Sequence, residues 1–143
     1  MLDLHELNLE VADFAHAIGL LVRRVRASSR VSDISLTQSS LMARLDRSGP
    51  ATISDLARSE GMKPQSMGAV VASLEEMGLV ERKQHATDGR QIIIALTEYG
   101  ASMRKSAVDA KRAWLAQAVS QLDDTDRKTL FKAGEIMSRL AKL

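Results

Sequence analysis

The fold is decided by residues 48–97, SGPATISDLARSEGMKPQSMGAVVASLEEMGLVERKQHATDGRQIIIALT. The stretch opens on a Ser-Gly-Pro break at 48–50, which ends any preceding helix. Thr52 followed three residues later by Asp55 is typical of a capped helix start. We therefore expect a short helix from Thr52 to about residue 57, with a tight connection that Gly61 ends.

A second helix is expected over residues 63–77. Pro64 suits its first turn, where the missing backbone N–H costs nothing. Apolar residues recur at helical spacing and predict its buried face; they are Met67, Val70, Val71 and Leu74. Gly78 fits the left-handed position that commonly follows a helix end.

The periodicity then changes from helix to strand. Residues 79–84 and 91–96 are predicted strands, the second rich in β-branched side chains. The Asp-Gly pair within the intervening 85–90 indicates a hairpin loop. Short helix, tight turn, helix and hairpin is the order of a winged helix-turn-helix, in which the second helix of the turn enters the DNA major groove.

Longer helices are predicted on both sides of this stretch. Apolar steps of three and four mark a helix over residues 4–27. Another begins at Leu36, with Leu36, Leu41 and Leu45 expected to face inward. A long helix should run from Thr97 to about residue 119, and a last one should follow a cap at Asp123 or Thr125.

These elements predict a mainly α fold with a small β-hairpin in one domain, 1–143. Residues 36–97 form its winged helix-turn-helix DNA-binding part, and the helices of 1–30 and 100–143 form a part for dimerisation. The outer helices are apolar enough to need a partner surface, and a stripe at Trp114, Leu115, Val119 and Leu122 adds to them.

Composition excludes several classes of function. The 143 residues contain no cysteine, so disulfides, thiolate metal sites and cysteine nucleophiles are ruled out. No apolar run has the roughly 18 residues of a membrane span and no secretion signal is seen, so we expect a cytoplasmic protein without a membrane partner.

The net charge is +2, but 44–90 holds seven basic and seven acidic residues. DNA binding must therefore depend on which face carries each charge.

The sequence resembles the MarR family of bacterial regulators. The resemblance rests on an ordered series of short matches: Leu36-Thr37 with Gln38, 48–50, 52–57, Val71, Leu74-Glu75, 78–80, Arg82, 88–90 and 96–100. It implies a homodimer that binds pseudo-palindromic double-stranded DNA. We expect a repressor, with activation as the alternative that the sequence leaves open. The resemblance also implies that a small ligand, often phenolic or otherwise aromatic, relieves binding.

The hairpin tip carries one family feature. Members usually have an Asp followed two residues later by an Arg, here Asp88 and Arg90. A carboxylate can orient a guanidinium through paired hydrogen bonds, and the guanidinium then meets phosphate or the minor groove. Arg82 on the strand and His85 at the base of the wing are further candidates, and the alternative for each is a solvated side chain.

The predicted base-reading helix departs from the family. Relatives often carry a Thr-Arg pair where this chain has Gly68-Ala69. The remaining candidates for DNA contact are Lys63, Gln65, Ser66 and Ser73, with Met67 or Ala69 available to a thymine methyl. Thr52 and Ser54, at the start of the preceding helix, are candidates for phosphate contact, although plain capping is the alternative for Thr52.

Other functions have less support. A winged-helix adaptor that binds protein instead of DNA is the alternative, motivated by Gly68-Ala69 and the neutral central segment. The chain shows no phosphate loop or paired metal-binding histidines, so we expect neither an enzyme nor a metal or cofactor site. His5, His16 and His85 have no ligand spacing; a zinc site would have to assemble across a dimer.

Overall fold

The computed structural model describes residues 1, 3–29, 34–84 and 87–143. Along these residues it has six helices and three short strands, which confirms the mainly α fold. They are α1 (Leu4–Ala27), α2 (Leu36–Ser48), β1 (Ala51–Thr52), α3 (Ile53–Ser59), α4 (Pro64–Glu76), β2 (Val80–Gln84), β3 (Ile92–Leu96), α5 (Glu98–Ser120) and α6 (Asp124–Leu140).

The chain divides into two compact units. One comprises Arg30–Val108 and is called the winged unit here. The other comprises Met1–Ser29 together with Asp109–Leu143 and is called the helical unit.

The winged unit has an apolar core of its own. Its fully buried large side chains come from α2, α3, α4, the sheet and the residue just before β2: Leu41, Leu56, Met67, Val71, Leu74, Leu79, Val80 and Ile94. Complete burial of such a side chain contributes about 1.5–3 kcal/mol. The three from α4 repeat at steps of four and three, so the helix is fixed along one face.

One residue of α2 lies differently from the prediction. Leu41 and Leu45 are buried as expected, but Leu36 is 60% exposed, so its inward placement was wrong for the single chain. Leu36 is the first residue of α2, beside a polar cap between Ser35 and Gln38. The first turn of the helix therefore extends beyond the core that covers Leu41.

The sheet has one strand more than the predicted hairpin. Its order is β1-β3-β2 with antiparallel pairing throughout. Ala51 pairs with Ile94 and Thr52 with Ile93. Two residues are too few to show strand periodicity, which is why the sequence did not reveal β1.

The sheet is joined to α4 and α5 by a close backbone contact. Gly78 follows α4 with φ +76°, the left-handed position expected of it. Thr97 donates from its hydroxyl to the Gly78 carbonyl at 2.6 Å and accepts from the Gly100 N–H at 2.9 Å. A Cβ on Gly100 would lie 2.0 Å from the Leu79 carbonyl oxygen, so only glycine fits there.

The helical unit lacks a comparable core. Neither α1 nor α6 contains a buried residue among those described. Within this unit the Arg24 guanidinium stacks over the Trp114 ring at 4.7 Å from its centroid. Asp123 is the cap of α6, accepting from the Asp126 N–H at 2.7 Å. No helix of the described residues is long and apolar enough to cross a membrane.

Candidate nucleic-acid interface

The two helices of the predicted helix-turn-helix are α3 and α4. Thr52 caps α3, and its hydroxyl oxygen accepts from the Asp55 N–H at 3.1 Å. Gly61 then turns the chain with φ +63°, a conformation that glycine adopts without steric cost. The Met62 N–H donates to the Ala57 carbonyl at 2.8 Å, which closes the turn against α3. The expected short helix, glycine turn and second helix are confirmed.

The two faces of α4 differ sharply. Met67, Val71 and Leu74 are fully buried. Opposite them the helix exposes Gln65, Ser66, Ala69 and Ala72, here called the reading stripe. Gln65, Ala69 and Ala72 are spaced by four and three residues, so they lie on one side of the helix. The stripe is accessible to a ligand without any change in the core.

A polar clamp ties α4 to α2. The Gln38 amide nitrogen donates to the Ser73 hydroxyl at 2.8 Å, and Ser73 donates to the Val70 carbonyl at 2.8 Å. The amide oxygen of Gln38 accepts from the Ser35 N–H at 2.8 Å, while the Ser35 hydroxyl accepts from the Gln38 N–H at 3.1 Å. One side chain thus caps α2 and also fixes the third turn of α4.

This arrangement changes two of the predicted DNA contacts. Met67 is wrong as a contact to a thymine methyl, because its side chain is 0% exposed. Ser73 is partly buried and its hydroxyl is engaged by Gln38, which places it on the side of α4 that faces α2. Lys63, Gln65 and Ser66 are exposed and remain candidates.

The two candidates at the start of α3 also differ in their exposure. Ser54 is exposed. Thr52 is half-buried, and its hydroxyl already caps the helix through the Asp55 N–H. The capping interpretation of Thr52 therefore accounts for the hydroxyl, and Ser54 is the more accessible candidate for phosphate.

The described part of the wing consists of β2, β3 and residues 87–91 between them. The Asp88 carboxylate accepts from the backbone N–H of Arg90 at 3.1 Å. This contact fixes the backbone of the tip, and the expected pair with the Arg90 guanidinium stays a prediction. Arg90 is exposed. His85, the candidate at the base of the wing, lies outside the described residues.

Arg82 is held at the border between the wing and α4. Its Nε lies 3.2 Å from a carboxylate oxygen of Glu75, with the two side chains 36% and 41% exposed. Lys83, the next residue on β2, pairs with Glu81 at 3.0 Å. Exposed pairs of this kind contribute little to stability, so both cations stay available to an external anion.

The clamp at Gln38 was missed as a site residue by the sequence analysis. A signal for half of it was present, since Ser35 with Gln38 three residues later is a capping box. The other half, contact with Ser73, joins residues 35 positions apart and follows only from packing.

Comparison with known proteins agrees with this geometry. The MarR family model matches residues 34–92. An uncharacterized HTH-type transcriptional regulator of Mycobacterium bovis, Mb0904, is 36% identical over 129 residues, covering 90% of each chain. The HTH-type transcriptional repressor Mb2911 of the same organism is 30% identical over 103 residues, 71% of this chain and 74% of the relative.

A solved structure extends the agreement to the fold. A transcriptional regulator protein of Pseudomonas aeruginosa superposes with a TM-score of 0.84 at 28% identity, covering 99% of each chain. The winged helix-turn-helix, the matched residues and the near full-length relatives lead to one conclusion: this chain belongs to the MarR family and is a DNA-binding transcription regulator.

Proposed function

We propose that the chain is a repressor that binds a pseudo-palindromic DNA site as a homodimer, with α4 in the major groove. The observation that carries the proposal is the reading stripe. It lies on the side of α4 turned away from the core, and the helix belongs to a capped helix-turn-helix followed by a wing. A major groove admits one α-helix, so such a face is the natural contact to base edges.

The chemistry of the stripe favours A·T base pairs. Residues 64–76 include no lysine or arginine, so α4 cannot make the paired contact from arginine to guanine. Gln65 suits the paired contact to adenine, and the methyl groups of Ala69 and Ala72 suit apolar contact with thymine methyls. Phosphate contacts then come from cations outside α4, of which Lys63 and Arg90 are exposed.

The homodimer is supported by the apolar surface of the helical unit. On α1, Val11 is 53% exposed, Phe14 45% and Leu21 44%, and on α6 Phe131 is 60% exposed. Large exposed apolar surfaces mark interaction sites. A second copy related by a two-fold axis would cover these faces and present two α4 helices about 34 Å apart.

The role of repressor is supported by the name of the relative Mb2911, a transcriptional repressor. The family resemblance supports relief by a small aromatic or phenolic ligand. The adaptor alternative is retained only because α4 lacks a basic residue, and family membership weighs against it.

Selection of bound sequences from a pool of random duplex DNA tests the proposal directly. We expect an A·T-rich, two-fold symmetric site with half-sites one helical turn apart. Affinity for the selected site should fall steeply with salt, because neutralised phosphates release counterions. Failure to enrich any sequence, together with binding that does not respond to salt, would reject DNA binding and favour the adaptor.

A further inference from the structure

A pocket of about 340 Å³ lies on the winged unit, between the end of α2 and α3. The break at Gly49–Pro50 forms one side of it, and Arg44, Asp55 and Arg58 contribute side chains. These residues all belong to one compact unit, so a single chain builds the pocket. It is separate from the reading stripe, none of whose residues lines it.

Arg44 is the unusual member of this pocket. Its Nε is buried and is the one buried side-chain nitrogen or oxygen that has no hydrogen-bond partner among the described residues. A guanidinium is always charged in proteins and donates only. Buried donors nearly always have partners, so an orphaned one in a residue that lines a pocket indicates a missing acceptor.

The charges around the pocket favour an anion. Arg44 and Arg58 provide two positive charges against the single negative charge of Asp55. Asp55 lies 3.4 Å from Arg58, and both side chains are largely exposed, so this pair is weak and leaves Arg44 without a carboxylate partner among the described residues. Ser48 also lines the pocket, and a serine hydroxyl can donate a hydrogen bond.

We propose that this pocket binds an oxyanion, with Arg44 as its main ligand and Arg58 as a second cation. A guanidinium binds the oxygens of phosphate or carboxylate through charge-assisted hydrogen bonds. Two sources share this chemistry: a phosphodiester of DNA lying against α3, and a free phosphate ion. The first would make the pocket an anchor for the DNA backbone, and the second an effector site.

Titration of the wild-type protein with inorganic phosphate tests the free-ion source. The signal is the Nε–H resonance of Arg44 in a proton–nitrogen NMR spectrum, assigned by its disappearance in Arg44→Lys. Chloride at equal ionic strength is the control. A saturable shift of Arg44 with phosphate, absent with chloride, supports the proposal and identifies a free ion as sufficient.

Binding to DNA tests the second source. Arg44→Gln is compared with Arg47→Gln, which removes the same charge from the same helix at an exposed residue outside the pocket. If a DNA phosphate occupies the pocket, Arg44→Gln weakens binding about tenfold and lowers the salt slope by about one, beyond the effect of Arg47→Gln. Thermal unfolding shows whether each variant is folded.

These outcomes also distinguish a failure of the pocket proposal from a failure of the proposed DNA-binding function. No shift with phosphate, combined with equal DNA binding by folded Arg44→Gln and Arg47→Gln, would overturn the proposal, and a bridging water would then satisfy Arg44. A phosphate shift in a protein that binds no DNA would keep the pocket and reject the DNA-binding function. If Arg44→Gln does not fold, Arg58→Gln, which removes the second cation of the pocket, is compared with Arg47→Gln in its place.

Discussion

The winged unit and the helical unit bury their apolar residues in different ways. In the winged unit, α2, α3, α4 and the sheet enclose eight large side chains that are almost inaccessible to water. In the helical unit, α1 and α6 bury none, although both carry apolar stripes. The first unit has a complete core within one chain, whereas the apolar side chains of the second unit remain at its surface. Folding and association are therefore expected to depend on different residues.

The largest effect should come from adding one methyl group to the winged unit. In Gly100→Ala the new Cβ would lie 2.0 Å from the Leu79 carbonyl oxygen, and backbone atoms on both sides cannot move aside cheaply. We expect the free energy of unfolding to fall by about 3 kcal/mol, measured by urea denaturation. The same change at Gly134 in α6 meets no atom within 4 Å and should stabilise by about 0.5–1 kcal/mol. Equal changes in the free energy of unfolding for Gly100→Ala and Gly134→Ala would contradict the expected difference between the two units.

Next in size is the effect of a charge on the open face of α1. Phe14→Glu places a carboxylate where a second copy is proposed to pack, and burying it without a partner costs about 2 kcal/mol. We expect a monomer by size-exclusion chromatography with light scattering, and an unchanged far-ultraviolet circular dichroism spectrum. Asp13→Asn, a charge change at the adjacent polar residue, should leave the dimer intact. If the wild-type protein is itself monomeric, the proposal that a second copy covers the apolar face of α1 is wrong.

A smaller effect is expected at the clamp between α2 and α4. Gln38→Ala removes the hydrogen bond to Ser73 and one half of the cap on α2. Loss of one such bond corresponds to about 1 kcal/mol, or about fivefold in affinity for the selected DNA. The dimer should persist. Ser73→Ala supplies the partner variant, and in its background Gln38→Ala should weaken DNA binding distinctly less, because the shared contact is already absent.

The smallest effect concerns the reading stripe itself. Replacing thymine by deoxyuridine in a half-site removes only the methyl group, worth about 0.8 kcal/mol if it packs against alanine. Affinity should fall about fourfold for each contacted thymine. In Ala72→Gly the affinities for the DNA with thymine and for the DNA with deoxyuridine should become nearly equal at the position that Ala72 is proposed to contact. An unchanged ratio would show that Ala72 does not touch a thymine methyl.

The sequence predicted those features that local periodicity and capping determine. The bounds of α1 and α4, the cap at Asp123 and the left-handed Gly78 all follow from patterns a few residues long. The burial of Met67 followed in the same way from its spacing with Val71 and Leu74. Its second assignment, as a contact to a thymine methyl, was wrong because a side chain at the centre of the buried face cannot reach DNA.

Features that depend on distant partners could not be predicted. From the sequence, the Ser73 hydroxyl was expected to be free for DNA, but Gln38 of α2 donates to it. Leu36 was expected in the core, but the core does not extend to the first turn of α2. β1 is defined only by its pairing with β3. The Asp88 carboxylate accepts from the backbone N–H of Arg90, a contact that depends on the geometry of the turn.

The separation of faces on α4 has an evolutionary consequence. Gln65, Ser66, Ala69 and Ala72 lie outside the core, so substitutions among them leave the buried Met67, Val71 and Leu74 untouched. Exposed substitutions of this kind usually change stability by no more than about 0.5 kcal/mol. The target sequence of the regulator is therefore free to drift, or to be redesigned, while the scaffold that presents it stays the same.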